Sequence, residues 1–166
     1  CASSCFVLTL RNQPSAFRYQ QRAASKLQNA ECFLYLCKMV KIGNIELPDF
    51  PLLLAPMEDV GVRPFRRLCK LHGADLMYSE FISSEGLIRD AMKSRKKLDI
   101  FDYERPVGIQ IFGGDEEAMA MSAKIVETVN PDIMDINFGC PVKKVVSKGA
   151  GAGVLKDVDL MVRLTK

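Results

Sequence analysis

The sequence predicts an α/β fold of parallel strands joined by crossover helices, and three observations carry that expectation. Short apolar, β-branched runs recur along the chain. Each is followed by a segment with helical spacing of apolar residues, and Gly, Pro, Ser or Asp punctuates the junctions. Strand–helix alternation of this kind gives parallel strands linked by right-handed crossovers, either in a doubly wound sheet or in a barrel of eight such units. Four units are visible by Lys166, which for a barrel is half of the closed structure.

The elements follow in order. "VKIGNIEL" alternates around Gly43-Asn44 and predicts a short hairpin. "PLLLAP" is an apolar run between prolines, as a buried strand requires. Val62–His72 predicts a helix with Phe65, Leu68, Cys69 and Leu71 on its apolar face, Arg63, Arg66, Arg67 and Lys70 elsewhere on a solvent-facing basic surface, and Gly73 as its stop. "DLMYSEF" predicts the second strand, after which Ser83 or Ser84 caps a helix running to about Ser94. "RPVGIQIFGG" is the third strand. Asp115 then caps a helix with Glu116 and Glu117 in its first turn, where the helix dipole favours acids, and with Ala118, Met119, Met121, Ala123, Ile125 and Val126 as its apolar face. "DIMDINFG" is the fourth strand, and Asp157 opens a last amphipathic helix.

With 166 residues, 48% hydrophobic and 26% charged, the chain has the length and composition of one ordinary domain with a real core. A net charge of +3 is too small to imply a nucleic-acid partner by itself. No apolar run approaches the length of a membrane span. The cysteines Cys1, Cys5, Cys32, Cys37, Cys69 and Cys140 form no C-x-x-C pair, and His72 is the single histidine, so no metal set is expected. Their distribution fits a reducing, cytoplasmic compartment better than a secreted disulfide framework.

Residues 1–38 carry Arg11, Arg18, Arg22, Lys26 and Lys38 against one acid, Glu31. Such composition suits either an organelle transit peptide or an upstream extension, disordered or artefactual, with no role in the fold; the second reading is preferred, with Met39 as the start of the organised chain. The other end, "DVDLMVRLTK", stops inside a helical pattern, so residues 39–166 are expected to be a truncated domain.

In either architecture, working residues collect at the carboxyl ends of the strands. That rule selects Pro56-Met57-Glu58, Ser79-Glu80, Gln110–Gly114 and Asn137–Pro141 as positions converging on one mouth. Cys140 is the sharpest candidate. It follows a strand end in a Gly-Cys-Pro turn that proline stiffens. Cys69, on a helix face, is expected to be an inert core thiol. A free thiol holds its proton at neutral pH, and no histidine lies in the motif to make a thiolate nucleophile, so general acid is the role that fits Cys140. Lys143 and Lys144, if close, would ease that donation. Lys143, Lys144 and Lys148 fit either a solvated surface or contacts to a phosphate backbone. Gln110, on a buried strand, needs partners: a structural hydrogen bond or, preferred here, a ligand's polar edge. "GAGAG" at Gly149–Gly153 lies outside the frame of a dinucleotide fingerprint and reads equally as a flexible turn or as a pliable substrate loop.

These segments together carry a resemblance. "LLLAPMEDVGVRPFRRLCKLHGADLMYSEF", "RPVGIQIFGGDEEAMAMSAKIV" and "DINFGCPVKKVVSKGAGAGVL" resemble the tRNA-dihydrouridine synthases, collinearly from about Met39 to Lys166, with N-x-G-C-P-V-x-K followed by K-G-A-G-A as the most specific block. The resemblance implies the N-terminal half of a TIM (β/α)8 barrel that binds FMN, uses NADPH or NADH as reductant, and reduces uridine in tRNA to 5,6-dihydrouridine. It implies Cys140 as the proton donor, Pro56, Met57, Glu58, Gln110 and Asn137 beside the flavin, Asn137 also beside the uracil, and Lys143, Lys144 and Lys148 near tRNA. Glu58 departs from the small residue many members carry after Pro-Met. The family's flavin-binding lysine, its later phosphate loops and its helical tRNA-binding domain would follow Lys166. Half a barrel leaves two unpaired sheet edges. A monomer without metal or membrane is expected for the full-length protein. Two other readings compete: a flavin barrel acting on a free pyrimidine of the dihydroorotate or dihydrouracil type, which the lysine- and glycine-rich continuation disfavours, and an inactive truncated product.

Overall fold

The computed structural model describes residues 40–166. The N-terminal extension, the start at Met39 and Cys1, Cys5, Cys32 and Cys37 lie outside the described residues. A hairpin comes first: β1 (Val40–Ile42) pairs antiparallel with β2 (Ile45–Leu47) across Gly43-Asn44, with Gly43 at a φ of 57°. Only glycine takes that conformation without cost at a two-residue turn.

The sheet follows. Its members are β3 (Leu53–Leu54), β4 (Leu76–Tyr78), β5 (Ile82–Ser83), β6 (Val107–Phe112) and β7 (Ile133–Ile136), and all their pairings are parallel. β4 and β5 are two parts of one interrupted strand. Tyr78 stands opposite Gly108, and Ile82 opposite Ile111. Ser79, Glu80 and Phe81 therefore face only Ile109 and Gln110 across the ladder. One residue too many is a bulge, so the single strand expected from "DLMYSEF" is corrected to a strand broken at Ser79–Phe81. The bulge turns Ser79 and Glu80 inward, where both are buried.

Strand order decides between the two expected architectures. β3, β4/β5, β6 and β7 each lie beside their successor, with no reversal. A doubly wound sheet requires a reversal at its switch point, and a barrel does not. The chain is an α/β structure with the winding of a partial TIM barrel. Right-handed crossovers then put the helices on one face. Leu54, Met77, Ile109, Ile111 and Ile136 pack in the two apolar clusters on that face. By the period of two, Tyr78, Gly108, Gln110, Asp135 and Asn137 lie on the opposite face.

The helices are α1 (Arg63–Leu71), α2 (Ser84–Ile88), α3 (Met92–Lys96), α4 (Glu116–Glu127), α5 (Lys143–Val146) and α6 (Val158–Thr165). The expected single helix from Ser83 to Ser94 is two helices, because Asp90 turns left-handed (φ 57°) and breaks it. The expected caps hold: Ser83 accepts from Gly86 N, Asp115 from Ala118 N and Asp157 from Leu160 N.

The stripe predicted on α1 is corrected. Leu68 and Leu71 are 51% and 75% exposed, whereas Arg66 is 3% exposed. Arg66 is buried because each nitrogen of its guanidinium finds an acceptor. It donates to Gly61 O (2.8 Å), Asp99 O (2.7 Å) and, from Nη2 and Nε, to Glu104 Oε2 (3.1 and 3.3 Å). Cys69 is buried as expected, and burial pushes its thiol pKa up against the smaller, lowering effect of a backbone hydrogen bond. On α4, Met121 is exposed and Ser122 takes the buried position, donating to Ser84 O at 3.1 Å.

Candidate functional site

The four strand ends meet in two pairs. At the first, β3 runs out through Pro56 and Met57 into a turn in which Met57 O accepts from Gly61 N at 2.8 Å. The Met57 side chain packs on the helix-side cluster. Glu58 is exposed and pairs with Lys97, both carboxylate oxygens lying 2.8 Å from Nζ. The same ammonium reaches Glu80 Oε2 (3.5 Å) and Phe81 O (3.3 Å), and Glu80 Oε2 accepts from Asp59 N at 2.9 Å. Lys97 thus offsets the converging carboxylates of Glu58, Asp59 and Glu80.

At the second pair, β6 meets β7. Gln110 is 8% exposed and directly opposite Asp135 in the ladder. Its Nε2 donates to Asp135 Oδ2 at 2.5 Å, and its Oε1 accepts from Asn137 Nδ2 at 2.8 Å. Asn137 Oδ1 in turn accepts from Gly139 N (2.9 Å) and Cys140 N (3.0 Å). Tyr78 lies on the same face, and its phenol pKa is pushed up first by burial and then by the Asp135 carboxylate. The sequence reading missed Asp135 and Tyr78. The signal was available for Asp135, because "DIN" puts residues 135 and 137 on one face of a strand.

Cys140 is a free thiol, 9% exposed. Its carbonyl accepts from Ala152 N at 3.0 Å. A side-chain carbon at Gly151 would lie 2.8 Å from Cys140 O and 3.0 Å from its Cβ, and Gly151 has a φ of 55°. A side-chain carbon at Gly114 would meet Gly149 O at 2.5 Å. "GAGAG" therefore does admit the close backbone approach that the loop reading expected. Residues Gly151–Lys156 form a 3-10 helix, and the backbone that approaches them closely is the chain's own cysteine loop.

Cys140 lines a cleft of about 580 Å³ between α2 and α3 on one wall, Phe112–Asp115 at its base, and the cysteine loop with Lys144 and Lys148 on the other. Glu58 also reaches this cleft. Gln110, Asn137, Pro56 and Met57 do not line it, and neither does Lys143. Lys143 and Lys144 are exposed on α5, while Lys148 stands 3.7 Å from Glu85. His72, the C-cap of α1, is exposed and absent from the cleft wall.

The fit of these groups to a planar heterocycle follows from what their hydrogen bonds leave unused. Gln110 keeps one N–H and one lone pair, and Asn137 keeps one N–H. Donors and an acceptor on one face match the imide edge of a flavin or a uracil. Among the described residues, no helix is long and apolar enough to cross a membrane.

Comparison with known proteins agrees with the geometry. Residues 53–166 match the family model described as dihydrouridine synthase. The chain is 40% identical over 126 residues to tRNA-dihydrouridine synthase B of Pseudomonas aeruginosa, covering 76% of this chain and 38% of that protein. It is 40% identical over 127 residues to a probable tRNA-dihydrouridine synthase of Rickettsia prowazekii, with the same coverage of each. Against the synthase B of Pseudomonas syringae it is 42% identical over 122 residues, 74% of this chain and 36% of that protein. The chain spans under two-fifths of the length of these relatives. With its parallel sheet, its strand-end amides and its Gly-Cys-Pro loop, the chain belongs to the dihydrouridine synthase family.

Proposed function

We propose that the full-length protein reduces uridine in tRNA to 5,6-dihydrouridine, with Cys140 as the proton donor. The observation that carries this reading is the placement of Cys140: a free thiol at the wall of a cleft, on a loop held by Asn137. A bound FMN, kept reduced by NADPH or NADH, would supply the hydride for C6 of the base. Gln110 and Asn137, with the Pro56-Met57-Glu58 backbone, are the groups here that would hold the flavin, and Asn137 also serves the uracil. The thiol gives its proton to C5, and the resulting thiolate regains one from water, so the base gains one hydride and one proton. A protonated thiol suits this step because no histidine stands beside it to remove the proton. Lys143, Lys144 and Lys148 are proposed contacts to tRNA phosphates, which require no fixed geometry of the side chain. A cytoplasmic, monomeric enzyme without metal and with a barrel domain beginning near residue 39 completes the proposal.

The test is Cys140→Ala in the full-length protein. Dihydrouridine formed in unmodified tRNA should fall by a factor on the order of 10² to 10⁴, the usual contribution of a general acid. Unchanged formation would sink the role given to Cys140. Turnover of free uracil or orotate by the unsubstituted protein, with none of tRNA, would overturn the substrate assignment.

A further inference from the structure

The amide chain from Asp135 to Cys140 has a direction, and the structure shows where that direction comes from. Gln110 and Asn137 are primary amides, and either can turn end for end with almost no change of shape. A carboxylate cannot: ionised, it only accepts. Asp135 therefore draws the Gln110 NH2 toward itself at 2.5 Å. This leaves Gln110 Oε1 facing Asn137, which presents its own NH2 at 2.8 Å. Asn137 Oδ1 is then left facing the cysteine loop, where it accepts from Gly139 N and Cys140 N. Were the sense reversed, the Asn137 NH2 would face two backbone N–H groups. The N–H of Cys140, a residue 9% exposed, would then lose its acceptor.

We infer that Asp135 is a positioning residue: by fixing the sense of the Gln110 and Asn137 amides, it holds the loop that carries Cys140. It touches neither the thiol nor the cleft and acts through two side chains. The inference takes its purpose from the proposed proton transfer, but the hold itself is a property of this chain and is measurable without flavin or tRNA.

Three variants of the full-length protein test it. Asp135→Leu removes the acceptor. Asp135→Asn keeps the shape but allows both senses. The double variant Asp135→Asn with Asn137→Asp moves the charge to the far end of the chain. There the new amide at 135 donates to Gln110 Oε1, Gln110 Nε2 donates to the carboxylate at 137, and that carboxylate accepts from Gly139 and Cys140. The readouts are hydrogen exchange at the Gly139 and Cys140 amides and the rate at which iodoacetamide alkylates Cys140. Asp135→Leu should speed both on the order of tenfold, Asp135→Asn by less, and the double variant should return both toward the unsubstituted values. Exchange at Asn137 N, which donates to Ile111 O at 2.9 Å in the ladder, should stay as it is throughout. If Asp135→Leu does not fold, Asp135→Asn and the double variant decide alone. Unchanged loop exchange in Asp135→Asn, or a double variant no better protected than the single one, overturns the inference. Absence of dihydrouridine synthesis by the unsubstituted protein would overturn the proposed function and leave this result standing.

Discussion

The two pairs of strand ends are held together by different physics. Beyond the ends of β3 and β4, the link is ionic: Lys97 spans Glu58 and Glu80, and one of those carboxylates takes the Asp59 N–H. Where β6 meets β7, the link runs through neutral amides ending at one carboxylate. Ion pairs at a half-exposed rim tolerate a range of geometries and weaken in salt. Amide chains tolerate little, because each donor must meet an acceptor. The ionic side is suited to holding two loops near each other, and the amide side to fixing one residue, Cys140, in place.

The ionic side rests on a deeper pair, and breaking that pair is the largest effect expected on stability. Arg66 binds Gly61 O, next to the turn that carries Glu58 and Asp59, and ties it to Glu104, which is fully buried. Glu104 Oε1 already lacks a partner. Arg66→Ala leaves a whole buried carboxylate uncompensated, so urea denaturation should show a loss of about 3–5 kcal/mol. Arg66→Met with Glu104→Leu should recover most of it, since an apolar pair of similar volume removes the stranded charge. A loss below about 1 kcal/mol in Arg66→Ala, too small for a stranded buried charge, would show that this pair does not support the rim.

The amide side breaks differently. Gly151→Ala combines a left-handed φ of 55° with an added carbon 2.8 Å from Cys140 O. Neither the backbone oxygen nor the turn can yield cheaply, so about 1–3 kcal/mol of strain is expected. The loop should shift to relieve it. Alkylation of Cys140 should accelerate in this variant, while Cys69, buried in the helix-side cluster, should remain unreactive. Equal reactivity of Cys140 in both proteins would mean that the 3-10 segment does not set the loop.

This difference in physics also explains what the sequence made legible. Periodicity exposed the sheet and α4, and the caps at Ser83, Asp115 and Asp157 were readable because a capping side chain is a local signal. Cys140, Gln110 and Asn137 were readable from their places at strand ends. The bulge at Ser79–Phe81 was not, because it exists only as a mismatch with β6, thirty residues on. Nor was burial of Arg66: a hydropathy pattern assigns arginine to solvent, and its acceptors, Gly61, Asp99 and Glu104, come from separate segments. Asp135 fell between the two cases. Its face was predictable, but its partner across the ladder depended on register, which no local pattern specifies.

The smallest effect sharpens the contrast most. Lys97 has a side chain 16% exposed, against 48% for Glu58 and 10% for Glu80. Lys97→Met keeps most of the aliphatic stem but removes the ammonium, which lies 5.6 Å from the centre of the Phe81 ring. Because Glu58 is half in solvent, water and counterions take over much of its partner's role, and the loss should be only about 1 kcal/mol. The informative quantity is its salt dependence. Between low salt and about 1 M NaCl, where the screening length falls to about 3 Å, the difference between the two proteins should shrink toward zero. Alkylation of Cys140 should be indifferent to the same salt, since neutral amides hold its loop. A stability difference unaffected by salt would place Lys97 among the packing residues. A Cys140 rate that follows the salt would mean that the two rims are coupled rather than separately built.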